Sequence, residues 1–445
     1  MDNALSRRDK IRAFLFGIVS GLAGITLLAL ALFQIPAVKD RYGWRVDFAQ
    51  AYLRGVIDPV KPLPAPKSAA TQAGTIQQIE GAKLPERSSN QTLSLLPSAT
   101  PTQVQSDRSG PTATITPTTA PTLTPTAIPG QVELPAPKWE KQDVNNCGPT
   151  TLALYLRFYG WKGDQTTIAI EVKPKKEDRN VNVEELVGYV NTKVPGLEVQ
   201  YRVGGDVDTL RRLLAAGFPV MIEETFMMDE SYWPNDDRWA GHYLLVTGYN
   251  DATQRFTGQD VYLAPNISIP YVTLNDHWQA FNRVYILVYP PESRPVIQTI
   301  LGDQWDVDKN RQHALEVAQK EAEANPNDKF AWFNQGTNLV YFKKYSLAAG
   351  AYDKAREAGL PQRMLRYQFG PFFAYFNLYR LDDLLELTEY ALKRSPTSEE
   401  AMLWRGWAMY RKDDREEAVK LFMKALDARP GYTDAEYALN FIRDN

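Results

Sequence analysis

The sequence predicts two folded parts, an α+β domain over residues 137–294 and an all-α repeat domain over residues 308–445. Short apolar runs typical of strands alternate with capped helices in the first part. In the second part, small residues recur at the period of a helical hairpin. An apolar segment and a Pro/Thr-rich stretch precede both parts. The length of 445 residues suits two domains and a linker.

The N-terminal region is predicted to anchor the chain in a membrane. Residues 13–33 are 21 uncharged, mainly apolar residues, enough to cross a bilayer as a helix. Four basic residues precede them, Arg7, Arg8, Lys10 and Arg12. This asymmetry favours a cytoplasmic tail over residues 1–12 and an extracytoplasmic location for everything after Gln34. A cleaved signal peptide is the rival interpretation, because residues 29–31 have the small-residue pattern of a cleavage site.

The next stretch separates the predicted membrane helix from the folded parts. Residues 34–60 form a juxtamembrane segment with aromatic and charged side chains. Residues 61–136 are dominated by Pro, Thr, Ser, Ala and Gln, and frequent prolines favour extended backbone without hydrogen bonds. A disordered linker is therefore expected, which would hold the folded parts away from the membrane.

Cys147 is the only cysteine, and it opens a predicted helix in the segment QDVNNCGPTTLALYLRFYGW. Pro149 falls in the first turn, apolar residues follow at helical spacing, and Gly160 ends the helix. A thiol at a helix start lies near unpaired N–H groups and the positive end of the dipole, which favour the thiolate. A lone cysteine is more often a small buried residue, so a catalytic role requires partners elsewhere.

His242 and Asp260 are the candidate partners of Cys147. His242 begins the run GHYLLVTGYN, which predicts a buried strand, and Asp260 ends a second strand-like run. A carboxylate there could hold the imidazole in the tautomer that accepts the thiol proton. His277 and His313 lie in helix-like segments and are predicted to be surface or packing residues.

These segments resemble the papain-like cysteine peptidases of the bacteriocin leader-processing type, specifically relatives that are not fused to a transporter. The resemblance covers about residues 137–292 and implies a papain-like α+β fold that hydrolyses peptide bonds. It implies that Cys147 is the nucleophile, His242 the base, Asp260 the residue that orients the base, and Gln142 the donor to the oxyanion.

Two positions leave alternatives open. Gln142 lies five residues before the cysteine, whereas six is the commoner spacing in papain-like enzymes, and Lys141 occupies that other position. Asn250 is a rival to Asp260, because papain-like enzymes can use asparagine to orient the histidine. A single asparagine at the end of a strand more often serves the turn.

The remaining elements of the first part follow an α+β order. Three helices are predicted from their caps: Asp164 to Val172, a helix with Asn182 and Glu185 as a capping box, and Asp206 to Gly217. The other predicted elements are a strand over 219–223, a helix over 276–281 and a strand over 283–289. Four tryptophans either wall a cleft or, as we favour, pack in the core: Trp161, Trp233, Trp239 and Trp278.

Residues 308–445 contain an internal repeat. Gly336, Ala348, Tyr352 and Ala355 recur as Gly406, Ala418, Phe422 and Ala425. Ala355, Ala391 and Ala425 are 36 and 34 residues apart, close to the period of tetratricopeptide repeats. The pattern predicts about three such repeats after a helix over 308–324, with a kink at Gly370-Pro371. The array either binds a peptide or protein partner or forms a rigid lid over the first domain.

Composition excludes several function classes. The net charge of −3, from 50 basic and 53 acidic residues, predicts no nucleic-acid partner. One cysteine and three scattered histidines argue against a zinc site, and neither a Walker loop nor a strand-associated GxGxxG occurs, so no cofactor is predicted. Two functions stay open: a membrane-anchored, extracytoplasmic cysteine peptidase, and a non-catalytic module that binds peptides or proteins at the cell surface.

Overall fold

The computed structural model describes residues 128–173, 181–228 and 237–444, with scattered residues between 16 and 66. Its strands are β1 Gln131–Glu133, β2 Glu198–Arg202, β3 Val220–Met227, β4 Trp239–Asn250, β5 Arg255–Gln259, β6 Ile267–Pro270 and β7 Tyr285–Tyr289. The helices among them are α1 Cys147–Phe158, α2 Gln165–Val172, α3 Val183–Lys193, α4 Val207–Ala215 and α5 Tyr271–Gln279. Together these elements form the predicted α+β domain.

Within the described residues, seven strands form one antiparallel sheet in the order β2-β7-β3-β4-β5-β6, and β1 also pairs with β4. Side chains of a strand alternate between the two faces of the sheet. On one face, Tyr243 and Leu245 of β4 share a core with α1. On the other, Leu244 and Val246 share a core with α4 and α5. The central strand β4 therefore holds both layers together.

Helix caps were the most accurate predictions. The Asp164 carboxylate accepts a hydrogen bond from the Thr167 N–H at 3.0 Å and starts α2, and the capping box of Asn182 and Glu185 starts α3. These motifs are local, because each joins residues three apart in the chain. Asp206 likewise caps α4.

Boundaries that depend on distant contacts were less accurate. The predicted linker over 61–136 overlaps β1, because Gln131–Glu133 pairs with β4. Helix α5 begins at Tyr271, five residues before the predicted start at 276, and its first residue is buried in the core with α4. β3 continues four residues past the predicted end at 223, because its second half pairs with the first half of β4.

The C-terminal region is helical throughout, as predicted, and it begins with two elements that the sequence patterns did not reveal. These are α6, Arg294–Leu301, and a 3-10 turn over Gly302–Trp305. They are followed by α7 Val307–Ala324, α8 Lys329–Tyr341, α9 Tyr345–Glu357, α10 Gly370–Asn377, α11 Leu381–Arg394, α12 Glu399–Arg411, α13 Arg415–Ala428 and α14 Thr433–Asp444. Helices α8 to α13 form three consecutive pairs, which is consistent with tetratricopeptide-like repeats.

Small residues let the paired helices approach closely. A Cβ on Gly336 would lie 2.7 Å from the Tyr352 ring, and one on Gly406 would lie 2.5 Å from the Phe422 ring. The middle pair differs from the prediction, because Gly370-Pro371 starts α10 instead of kinking it. Proline is compatible with a first helical turn, whose N–H groups have no partner within the helix. A short 3-10 helix, Gln362–Arg366, replaces the missing turns.

The repeats pack along the α+β domain from their first helix to their last pair. Arg283 pairs with Glu321 of α7 at 2.7 Å. At the other end, Arg429 pairs with Glu185 of α3 at 2.8 Å. Apolar residues of both parts belong to one continuous core. One side of the array is therefore covered by the chain's own α+β domain.

In the part of the chain that the structure describes, no helix is long and apolar enough to cross a bilayer. Most of residues 13–33 and most of the linker lie outside the described residues, so the membrane helix and the disordered linker stay predictions. Leu63 belongs to the predicted linker, yet it is half-buried against the core shared by the two folded parts.

Candidate active site

Cys147 begins α1, as predicted, and the helix is anchored to the strand that carries His242. The Thr151 hydroxyl donates to the backbone carbonyl of Tyr243 at 3.0 Å. The thiol itself is half-buried. Since Thr151 lies one helical turn after Cys147, this bond brings the thiol to the start of β4.

His242 and Asp260 are in direct contact. His242 Nε2 lies 3.1 Å from Asp260 Oδ1, and both side chains are almost fully buried, with 5% and 6% exposed. Asp260 follows β5, and its Oδ1 also accepts the N–H groups of Tyr262 at 2.7 Å and Leu263 at 3.0 Å. The backbone thus holds the carboxylate where it meets the imidazole. The other ring nitrogen, Nδ1, is left to form the hydrogen bond with Cys147.

The three groups shift one another's protonation. Burial raises the pKa of Cys147, but the hydrogen bond and charge of His242, the Tyr243 N–H and the charge of Lys173 together lower it below its usual value. Burial lowers the pKa of His242, yet Asp260 and Cys147 outweigh it and raise the pKa to about 10. Burial raises the pKa of Asp260, whereas His242 and the two N–H groups give a net decrease. Near neutral pH the site therefore favours a thiolate beside an imidazolium.

Gln142 lies in the loop before α1 and is held beside Asp260. Its backbone N–H donates to the carbonyl of Val261 at 2.9 Å. Its side-chain oxygen Oε1 is buried and has no hydrogen-bond partner among the described residues. Lys141, the alternative by spacing, is exposed. The amide of Gln142 is thus the buried polar group in this loop with capacity for a further hydrogen bond.

Asn250, the rival to Asp260, lies at the other end of β4. Eight residues separate it from His242, which at about 3.3 Å per residue is roughly 26 Å along the strand. Its side chain serves the turn, since its Oδ1 accepts the Thr253 N–H at 3.1 Å. The structure therefore brings Asp260, and not Asn250, to His242.

Among the described residues, no hydrogen bond or ion pair joins the other singled-out histidines and tryptophans to Cys147, His242 or Asp260. His277 is 44% exposed and lies 4.0 Å from Glu224, at the wall of a cavity of about 760 Å³ between the domains. His313 is half-buried on α7. Trp278 and Trp239 are buried and Trp161 packs at the edge of the core, as favoured. Trp233 lies outside the described residues.

Sequence reasoning missed Gln165, which organises the loop before Cys147. Its Oε1 accepts the Asp143 N–H at 2.8 Å, the Asn146 amide at 2.7 Å and the Thr150 hydroxyl at 2.9 Å. Its Nε2 donates to the Lys141 carbonyl at 2.9 Å. No local pattern marks such a residue, because its partners lie 15 to 24 positions upstream.

Three buried charged residues near the site were also missed. Lys173 is 5% exposed and donates from Nζ to the Asn145 carbonyl at 2.6 Å. On β3, Glu223 lies opposite Tyr243 and Glu224 lies opposite His242. The two carboxyls are 3% and 6% exposed. The signal in the sequence was the pair of glutamates that follows the apolar run GFPVMI.

In the described part of the chain, no group of three or more His, Cys, Asp or Glu side chains could hold a metal ion.

Comparison with known proteins finds one family model that matches part of the chain. Residues 131–286 match the model of the Peptidase_C39 like family. A putative C39-like peptidase from Bacillus anthracis is 17% identical, with 36% of this chain and 96% of that chain covered, at a TM-score of 0.30. Xylellain, a cysteine protease from Xylella fastidiosa, is 14% identical, with 37% and 87% covered, at 0.29. MamA 41-end from Desulfovibrio magneticus RS-1 is 18% identical, with 34% and 82% covered, at 0.28.

No curated protein matches the chain significantly. The family match confirms the predicted resemblance to the leader-processing type of papain-like peptidases for residues 131–286. The papain-like α+β domain and the helical C-terminal region follow the predicted order.

Proposed function

We propose that the segment matched by the C39-like family model is a cysteine peptidase that hydrolyses peptide bonds through Cys147, His242 and Asp260. The observation that carries the proposal is the unbroken series of hydrogen bonds from the thiol to the imidazole to the carboxylate. A thiolate paired with an imidazolium at a helix N-terminus is the activated nucleophile of such enzymes.

The proposed reaction has two steps, formation of a thioester on Cys147 and its hydrolysis, and His242 transfers a proton in each. The Cys147 thiolate attacks the peptide carbonyl, and the imidazolium of His242 gives its proton to the departing amine, which leaves a thioester. His242, now neutral, takes a proton from water as the water oxygen attacks the thioester. The acid product leaves and the thiolate is restored. Asp260 holds the ring and stabilises its charged form throughout.

Gln142 is proposed as the side-chain donor to the oxyanion. Its backbone bond to Val261 ties it to the loop that follows β5 and contains Asp260, and its buried side-chain oxygen Oε1 has no hydrogen-bond donor among the described residues. With the amide nitrogen turned toward the carbonyl oxygen of the substrate, it would stabilise the negative charge that develops there.

The test is the pH dependence of thiol labelling. Cys147 is the only cysteine, so iodoacetamide reports on it alone. Because the pKa of Cys147 is lowered by its contact with His242, labelling of the folded chain should persist well below pH 8. The rate at pH 6 to 7 should exceed that of the urea-unfolded chain by about tenfold or more, and His242→Ala should remove the difference.

The control variant is His277→Ala, which removes a half-exposed imidazole that does not contact Cys147. It should label like the wild type. If the wild type, His242→Ala and the unfolded chain all show the same pH dependence, Cys147 is an ordinary thiol and the proposal is wrong.

We further propose that the peptidase is held at the outer face of the cell membrane by residues 13–33. The support is the length of the apolar segment and the basic residues before it. Protease added to intact cells should then cut within residues 67–127 and release a fragment that carries the folded domains. Lysed cells are the positive control. Full protection of the chain in intact cells, with cleavage after lysis, would reverse the orientation.

A further inference from the structure

Acidic and basic side chains line a cavity of about 190 Å³ between the α+β domain and the repeats. Its walls come from β2, β3, the start of α3 and the helices of the array. The charged residues that line it on the α+β side and on the array side are Glu184, Glu185, Glu223, Arg311, Glu400, Arg429 and Asp434. Aromatic rings supply much of the remaining wall.

Most of these carboxylates already have partners. Glu185 pairs with Arg429 at 2.8 Å. Glu184 accepts a hydrogen bond from the Tyr201 hydroxyl at 3.1 Å, and burial raises its pKa, which the positive charge of Arg311 lowers. These contacts are of the kind that stabilises the packing of the two domains.

Glu223 differs from these carboxylates. It is 3% exposed, and no cation among the described residues forms an ion pair with it. It bonds to the hydroxyl of Tyr243, but that hydroxyl also donates to the carbonyl of Val181 at 3.0 Å. A hydroxyl has one proton to donate, so a Glu223 carboxylate would compete with the Val181 carbonyl for it. Burial raises the pKa of Glu223, as do the charges of Cys147 and Glu184. Burial without a cationic partner therefore favours the neutral form of this acid at the wall of the cavity.

The cavity adjoins the candidate active site. Tyr243, the neighbour of Glu223 across the strands, also hydrogen-bonds Cys147 through its backbone. Gly148, the residue after the nucleophile, packs against the Tyr243 ring and against Leu186 of α3. A peptide carbonyl at Cys147 would thus have side chains of nearby residues within reach of the cavity.

We propose that this cavity binds the basic side chain, lysine or arginine, of a peptide substrate, and that Glu223 is the residue that pairs with it. The inference rests on the proposed peptidase function and adds a specificity to it. When the cation enters, Glu223 releases its proton to solvent and its carboxylate pairs with the ammonium or guanidinium group. The buried charge is then compensated, which the free protein cannot achieve. The aromatic wall suits the apolar stem and the charged head of such a side chain.

The test uses three methanethiosulfonate reagents on the full chain: a trimethylammonium-ethyl cation, a sulfonatoethyl anion and the neutral methyl compound. Each places its group on Cys147 as a disulfide and releases methanesulfinate. Rates are compared with those of the same chain unfolded in urea. The ratio of cationic to neutral rates should be on the order of tenfold to a hundredfold higher in the folded chain, because the carboxylate of Glu223 attracts the cation at the labelled thiol. The anionic reagent should be disfavoured.

Glu223→Gln keeps the shape and neutral state of the resting side chain and should bring this ratio close to that of the unfolded chain. Glu224→Gln is the matched control, because Glu224 is equally buried on the adjacent position of β3. Equal loss in both variants would show a general negative field and overturn the role of Glu223. A wild-type ratio equal to that of the unfolded chain overturns the proposal without any variant. Fast reaction with the neutral reagent despite such a result would leave the proposed nucleophile intact, so the two failures are distinguishable.

Discussion

Replacement of Cys147 by alanine is expected to abolish peptide hydrolysis, with a fall in kcat on the order of 10⁴-fold or more. Without the thiol no thioester can form, and the remaining groups can only bind the peptide. His242→Ala should cost a comparable amount, because nucleophile and base act as one unit and their losses do not add. The measurement is turnover of a peptide library by the full chain, with products identified by mass spectrometry.

The matched control for the second variant is His277→Ala, which changes the same residue type outside the hydrogen-bonded series. Turnover within a factor of two of the wild type is expected. If the wild type cleaves nothing while binding peptides, the non-catalytic reading becomes the better one, and Cys147→Ala should then leave peptide affinity unchanged.

The residues of the candidate site that could be predicted are those that belong to local patterns. Cys147 stands at a helix start marked by Pro149, and His242 opens an apolar strand. Asp260 follows a turn-bounded strand, and the backbone N–H groups of the next residues, Tyr262 and Leu263, hold its carboxylate. The sequence pattern that identifies each of these residues lies within about ten positions of it, so the sequence alone was sufficient to predict them.

The residues that escaped prediction depend on contacts between distant segments. Gln165 organises a loop 19 to 24 positions away, and its own neighbourhood reads as an ordinary helix start. Glu223 and Glu224 are buried because both faces of their sheet are covered by other elements, although glutamate is rarely buried. Only the pairing of β3 with β4 and the position of α5 and the repeats make these charges internal.

The packing of the repeats against the α+β domain is the largest feature that the sequence did not predict. The internal period predicts helix pairs but carries no information on which surface faces which neighbour. In the structure one side of the array covers the α+β domain, and Tyr367, which follows the 3-10 helix, contacts Gly241 beside His242. An array in this position forms a wall of the candidate site. Any separate partner must then bind the surfaces of the array that the α+β domain leaves uncovered.

Asp260→Ala is expected to lower turnover on the order of 10²- to 10⁴-fold, because it removes both the charge and the acceptor that orients His242. The turnover of Asp260→Asn should lie between that of Asp260→Ala and that of the wild type. The single oxygen Oδ1 accepts His242 and both backbone N–H groups, and an amide oxygen can keep all three bonds. What asparagine loses is the negative charge.

Loss of the negative charge should change the pH dependence of activity in a definite direction. Asp260 helps to raise the pKa of His242 to about 10, so Asp260→Asn should lower it. Since the active form needs a protonated His242, the alkaline limb of the kcat/KM profile should move to lower pH in this variant. Asn250→Ala is the control: its side chain serves a turn at the other end of β4, and both rate and profile should stay unchanged. A large loss in Asn250→Ala with none in Asp260→Ala would transfer the orienting role to Asn250. If neither variant loses activity while Cys147→Ala does, the site works as a pair of Cys147 and His242 alone.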